Sequence, residues 1–199
     1  MRQLARHLSS AALLATALSV GPVLAGWDLD PQRSHLAFVS IKAKDIAEIH
    51  TFREMSGTID DAGDVKVSMM LDSVETLIPI RDERMREFLF KTTDYKDATL
   101  SAHVDPALIT SMQTGDIAQI QAEGSLSLHG ETQRMILQVQ AAKVSDDTIM
   151  VASVKPLVID AGKFGMSDGV EKLRDIAGLD SISNAVPVSF VMTFVGGTR

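Results

Sequence analysis

The feature that most constrains this chain is apolar alternation with a period of two, sustained over most of its length. Val65, Val67, Met69 and Leu71 alternate with Lys66, Ser68, Met70 and Asp72. Ile120, Ala122, Gly124, Leu126 and Leu128 alternate with Gln121, Glu123, Ser125 and Ser127. After His129-Gly130-Glu131, Met135, Leu137, Val139 and Ala141 alternate with Arg134, Gln138 and Gln140. Successive strand side chains point to opposite faces, so each segment reads as a strand with one buried face. The last two read as a long antiparallel hairpin. Ser34 to Ala43, Ile49 to Ile59, Ala98 to Val104, Thr148 to Ile159 and Val186 to Phe194 complete about eight strands. Several run near ten residues or more, about 30–40 Å at strand rise.

Eight antiparallel strands with one apolar face close into a barrel or stack as a sandwich. A closed barrel removes the edges through which strands aggregate, and eight strands leave room for side chains or for one ligand. The inward faces mix small residues (Ala102, Ala122, Gly124, Ala141) with methionines, which adapt to varied apolar shapes. A packed core and a ligand cavity both fit this pattern. Two segments read as helices. Asp168 to Ala177 places Val170, Leu173 and Ala177 at helical spacing before Gly178. Ile80 to Phe90 places Met85, Phe88 and Leu89 on one face, with Asp82 and Arg86 at i,i+4. Its charges are expected mostly to face water, with Arg81 or Arg84 as candidates to hold a polar head group through a guanidinium fork.

Residues 1–25 read as a secretory signal. Arg2 and Arg6 precede the apolar run Ala11 to Val20, and Val23-Leu24-Ala25 has the form of a cleavage site. Cleavage turns the net charge of −7 into −9, since the segment carries two arginines and no acidic residue. An acidic chain repels phosphate backbones, which argues against nucleic acid. The absence of cysteine excludes thiolate chemistry and disulfides. Trp27 is expected to pin the first strand to the core.

Enzymatic motifs are weak. Gly165-Met166-Ser167-Asp168-Gly169 matches G-x-S-x-G, but that elbow needs a parallel sheet and a later histidine. Every histidine precedes Ser167. A glycine-flanked turn with Ser167 or Asp168 as helix N-cap is the simpler reading. The histidines form no metal-ligand pair, and no phosphate-binding loop is present.

Several short motifs, in order, carry a resemblance: Trp27-x-Leu29-Asp30, Ser34-x-Leu36-x-Phe38, Phe52-x-x-x-Ser56-Gly57-x-Ile59, Ser73-Val74-x-Thr76, Ile80-Arg81-Asp82-x-Arg84-Met85-Arg86, Leu126-x-Leu128-His129-Gly130, Phe164-Gly165 and Val186-Pro187-Val188-x-Phe190. Together they resemble the YceI-like family of periplasmic polyisoprenoid-binding proteins. The chain departs from the family at Tyr95-Lys96-Asp97-Ala98, where a Tyr/Phe-Pro step is usual. The resemblance implies a mainly β fold, an extended eight-stranded antiparallel lipocalin-like barrel with one or two short helices, spanning residues 26–199. It implies a long apolar pore holding an isoprenoid chain, such as a polyprenyl lipid or a ubiquinone-like molecule. It brings no catalytic residues, metal or further cofactor.

The expected function is therefore a periplasmic carrier of a long-chain isoprenoid, possible as a homodimer. Pore-lining candidates are Phe38, Phe52, Val67, Met69, Leu71, Met85, Leu89 and Ala102, then Ile120, Ala122, Leu126, Leu137, Val139, Val188, Phe190 and Met192. The alternatives are a lipid-acting hydrolase or isomerase, or a packed structural barrel without ligand.

Overall fold

The computed structural model describes residues 26–196. The signal-peptide expectation for residues 1–25 lies outside them. Twelve strands form one sheet: β1 (Trp27–Leu29), β2 (His35–Lys42), β3 (Ile46–Phe52), β4 (Met55–Ile59), β5 (Asp64–Met70), β6 (Val74–Glu75), β7 (Asp97–His103), β8 (Ile117–Leu128), β9 (Glu131–Ser145), β10 (Thr148–Ser153), β11 (Leu157–Asp160) and β12 (Ala185–Gly196). Four pairs of neighbours (β1–β2, β3–β4, β5–β6 and β10–β11) are single staves broken by short irregularities. The sheet thus counts as eight staves, all antiparallel. It closes because β1 pairs with both β4 and β12, while β2 continues along β12.

Each break has an identifiable cause. Asp30 accepts from the Gln32 and Arg33 amides and holds a one-turn 3-10 helix at Pro31–Arg33 between β1 and β2. The expected strand Ile49 to Ile59 splits because the Arg53 amide donates to the Ser73 carbonyl and the Glu54 amide to Ser73 Oγ. Leu71–Ser73 forms another 3-10 turn between β5 and β6. Pro156 lies in the gap between β10 and β11, where a ladder donor is lost. Ser153 Oγ takes the Phe190 amide there at 3.2 Å. Such irregularities bend long strands and let them wrap a barrel.

Helices close the two ends. At the mouth, α1 (Pro79–Arg84) runs directly into a π-helical turn, Met85–Phe90. There α3 (Ser167–Ala177) packs across it and ends on Gly178 in the left-handed region. A Cβ on Gly169 would lie 2.6 Å from the Phe88 carbonyl oxygen, so glycine permits this close crossing. At the base sits α2 (Pro106–Ser111), a helix that strand periodicity did not reveal. Its signals are an Asp105 side chain accepting from the Ala107 amide and proline at the first turn. Trp27 packs half-buried against the core, over Gly196, with Lys143 Nζ 4.2 Å from its ring centre. It thus anchors β1 at the seam.

Candidate functional site

The inward faces of the staves do not fill the barrel. A cavity of about 330 Å³ occupies the half nearer the mouth, and a second of about 80 Å³ the half nearer the base. The larger falls in the ordinary range for small-molecule sites, about 300–1,000 Å³. Leu100, Phe190 and Met192 line both cavities and so form the partition between them.

Among the expected lining residues, Phe38, Phe52, Met69, Leu71, Met85, Leu89, Leu126 and Val188 face the upper cavity. Val67, Ala102, Ile120, Ala122, Leu137 and Val139 face the lower one, and Phe190 and Met192 face both. The lining also takes in Leu36, Leu100 and Met135, each in phase with an expected lining residue but not named as one. It further includes Met166, Val170 and Leu173 of the helical segment that lids the cavity, a stripe whose spacing was read without assigning it to the pore.

Polar groups gather at the mouth. Glu48 Oε2 lies 2.8 Å from Lys42 Nζ and 2.8 Å from Arg81 Nη1. The hydrogen bond from Lys42, with the positive charge of Arg81 added, holds the Glu48 carboxyl below the usual range. Arg81 Nη2 donates to the Thr76 carbonyl at 2.8 Å. Asp82 is buried, at 7 % exposure, and accepts from the Thr76 amide (2.8 Å) and the Thr76 hydroxyl. This corrects the expectation that the charges of this segment mostly face water. Asp82 is turned inward to satisfy the loop that launches α1, so it does not pair with Arg86. Arg86 reaches Asp72 instead, at 3.7 Å. Arg81 and Arg84 both line the cavity, as Glu83 and Glu87 face solvent. Leu77, which leads into α1, holds a left-handed φ of 63°.

One pleat inside the Glu48 cluster lies His50, 4 % exposed, its Nε2 3.0 Å from Ser40 Oγ. Burial pushes its pKa down, and Arg81 adds to this, which favours the neutral ring. Phe38 meets it edge-on at 5.4 Å and stacks on Phe52 at 5.3 Å.

The G-x-S-x-G segment does other work. Met166, not Ser167 or Asp168, is the N-cap of α3, and no side chain caps it. The 3-10 turn Ala161–Phe164 delivers the chain straight into the helix, with the Met166 amide bonded to Ala161 O. Met166 lines the cavity, whereas Ser167 does not. His129 sits beside Tyr95, ring centres 4.3 Å apart, and its Nδ1–H donates to the Phe164 carbonyl. Among the described residues no group of three or more His, Asp or Glu is placed to hold a metal, and no helix is long and apolar enough to cross a membrane.

The YceI-like domain model matches residues 27–194. The chain belongs to the YceI-like domain family. Its barrel is similar to a polyisoprenoid binding domain from Saccharophagus degradans implicated in plant cell wall breakdown. The two are 36% identical over 87% of this chain and 99% of that one, with a TM-score of 0.85. The fold is also shared by Burkholderia cenocepacia BcnA, 17% identical over 83% of this chain and 98% of that one, TM-score 0.62. A search of curated proteins found no match. Membership in the YceI-like family thus accords with the closed eight-stave barrel and its short helices.

Proposed function

We propose that this YceI-like chain is a binding protein that holds a long-chain isoprenoid lipid, polyprenyl or ubiquinone-like, in its barrel. The observation that carries this reading is the upper cavity, an apolar chamber with its charged groups gathered at the mouth. The polyisoprenoid-binding relative at 36% identity supports the same ligand class. Burial of the ligand's apolar surface drives binding, at roughly 25 cal/mol per Å² before association costs. The role is that of a carrier rather than an enzyme, acting in the periplasm after removal of residues 1–25.

Purification from cells, solvent extraction and mass spectrometry should release an isoprenoid in near-stoichiometric amount. A lipid-free protein that also takes up no isoprenoid in vitro overturns the reading. The exported protein should begin at Gly26 on N-terminal sequencing and fractionate with the periplasm; full-length protein in the cytoplasm would contradict the location.

A further inference from the structure

Two buried polar atoms at the upper cavity have no partner: His50 Nδ1 and Arg81 Nε. An unsatisfied buried group of this kind costs about 1–3 kcal/mol, so two of them in one otherwise apolar chamber call for an explanation. Both residues line the cavity. Glu48 and His50 sit two residues apart on the inward face of β3, about 7 Å along the strand. Arg81 is tied to Glu48, two residues before His50 on β3.

The two atoms differ in what they offer. Each Nη group of Arg81 already donates one hydrogen bond, to Glu48 and to the Thr76 carbonyl, whereas Nε–H has no partner. A phosphate is best held by a guanidinium fork, and here both arms of the fork already donate within the protein. Glu48 also offsets part of the positive charge that Lys42 and Arg81 bring to the mouth. His50 is adaptable. If Ser40 donates to Nε2, then Nδ1–H is a donor; if Nε2–H donates to Ser40 Oγ, Nδ1 is an acceptor. His50 Nδ1 can thus donate to a carbonyl oxygen or accept from a hydroxyl, and Arg81 Nε–H can donate to either. Phe38 and Phe52 begin the apolar wall just inside.

We propose that His50 Nδ1 and Arg81 Nε form the head-group site of the barrel and take an uncharged terminal oxygen, hydroxyl or carbonyl, in preference to a phosphate. The inference rests on the lipid-binding reading and adds the chemistry of the ligand's polar end. Ser40 is the positioning residue that sets the imidazole tautomer.

The test compares four probes on the full mature protein by titration calorimetry: phytane, geranylgeraniol, a quinone with a short isoprenoid tail, and geranylgeranyl diphosphate. Geranylgeraniol or the quinone should bind more tightly than phytane and than the diphosphate, and the tighter of the two identifies alcohol or carbonyl. His50→Phe should weaken the preferred probe about three- to tenfold, the worth of one hydrogen bond, and leave phytane unchanged. His50→Gln should restore part of the loss. In the wild-type protein, the imidazole nitrogen resonances of His50 should shift with the preferred probe and not with phytane, a readout independent of any variant. Equal losses for phytane and the preferred probe would overturn the proposal. So would a diphosphate that binds tightest and loses its affinity in Arg84→Ala. Uptake of phytane as strong as that of the oxygenated probes would sink the head-group site while leaving the lipid-binding function intact. Binding of none of the four would sink both.

Discussion

At the scale of single residues, the mouth is held by side chains that spend their charge internally. Asp82 satisfies the Thr76 amide and hydroxyl in a buried loop. Asp82→Ala leaves those donors dry and should lower stability by about 1–3 kcal/mol, read as a reduced urea midpoint at constant slope. His50 gives the protein a pH signature. Its folded pKa is lowered by burial and by Arg81, with Lys42 acting in the same sense and Glu48 and Asp82 opposing. Above the unfolded value of about 6.5 both states are neutral. As pH falls below that value the unfolded chain takes up the proton first, and stability is lost until the lowered folded pKa is passed. Unfolding free energy should therefore fall between about pH 7 and pH 5, and the slope should diminish in His50→Phe. His129, also lowered by burial, contributes in the same window. The roles of Asp82 and His50 were not legible in the sequence. A charged run on an amphipathic helix gives no sign of which carboxylate the preceding loop will claim, and a strand histidine looks the same inside or outside a barrel.

At the scale of elements, the strands were readable because each has one face in the interior and one in water, which imposes period two. Val67, Met69, Leu137 and Phe190 face inward as the alternation requires. The breaks were less readable, since the causes are distant: Ser73 takes the Arg53 and Glu54 amides across the sheet. The lid depends on the crossing of α3 over the π-helical turn. In Gly169→Ala the new methyl meets Phe88 O and, at 2.9 Å, Leu89 Cα. Overpacking there should cost about 1–3 kcal/mol, against a gain of up to about 1 kcal/mol from replacing a helical glycine. The net expectation is a lower melting temperature and faster ligand release in a stopped-flow dilution.

At the scale of the whole molecule, antiparallel order was legible in the alternation and its turns, whereas closure into a barrel rather than a sandwich was implied only by the family resemblance. The division of the interior was not legible, because it depends on where Leu100 of β7 and Phe190 and Met192 of β12, far apart in the chain, sit between the two cavities. Met192→Ala should join the two cavities and shift the extracted isoprenoids toward longer chains. The truncation should also cost about 2–5 kcal/mol, partly offset by saturating lipid. An unchanged chain-length profile would show that the partition does not limit depth. The ends of the barrel are built differently. The base is sewn by backbone ladders, β1 bridging β4 and β12, whereas the mouth is closed by side chains of two helices that share no ladder. Amide hydrogen exchange should separate them: slow at β8 and β9, released only by global unfolding, and fast across residues 79–90 and 167–177 through local opening. A container so constructed can be filled and emptied at its rim while every stave stays hydrogen-bonded, so the cost of loading cargo is decoupled from the stability of the vessel.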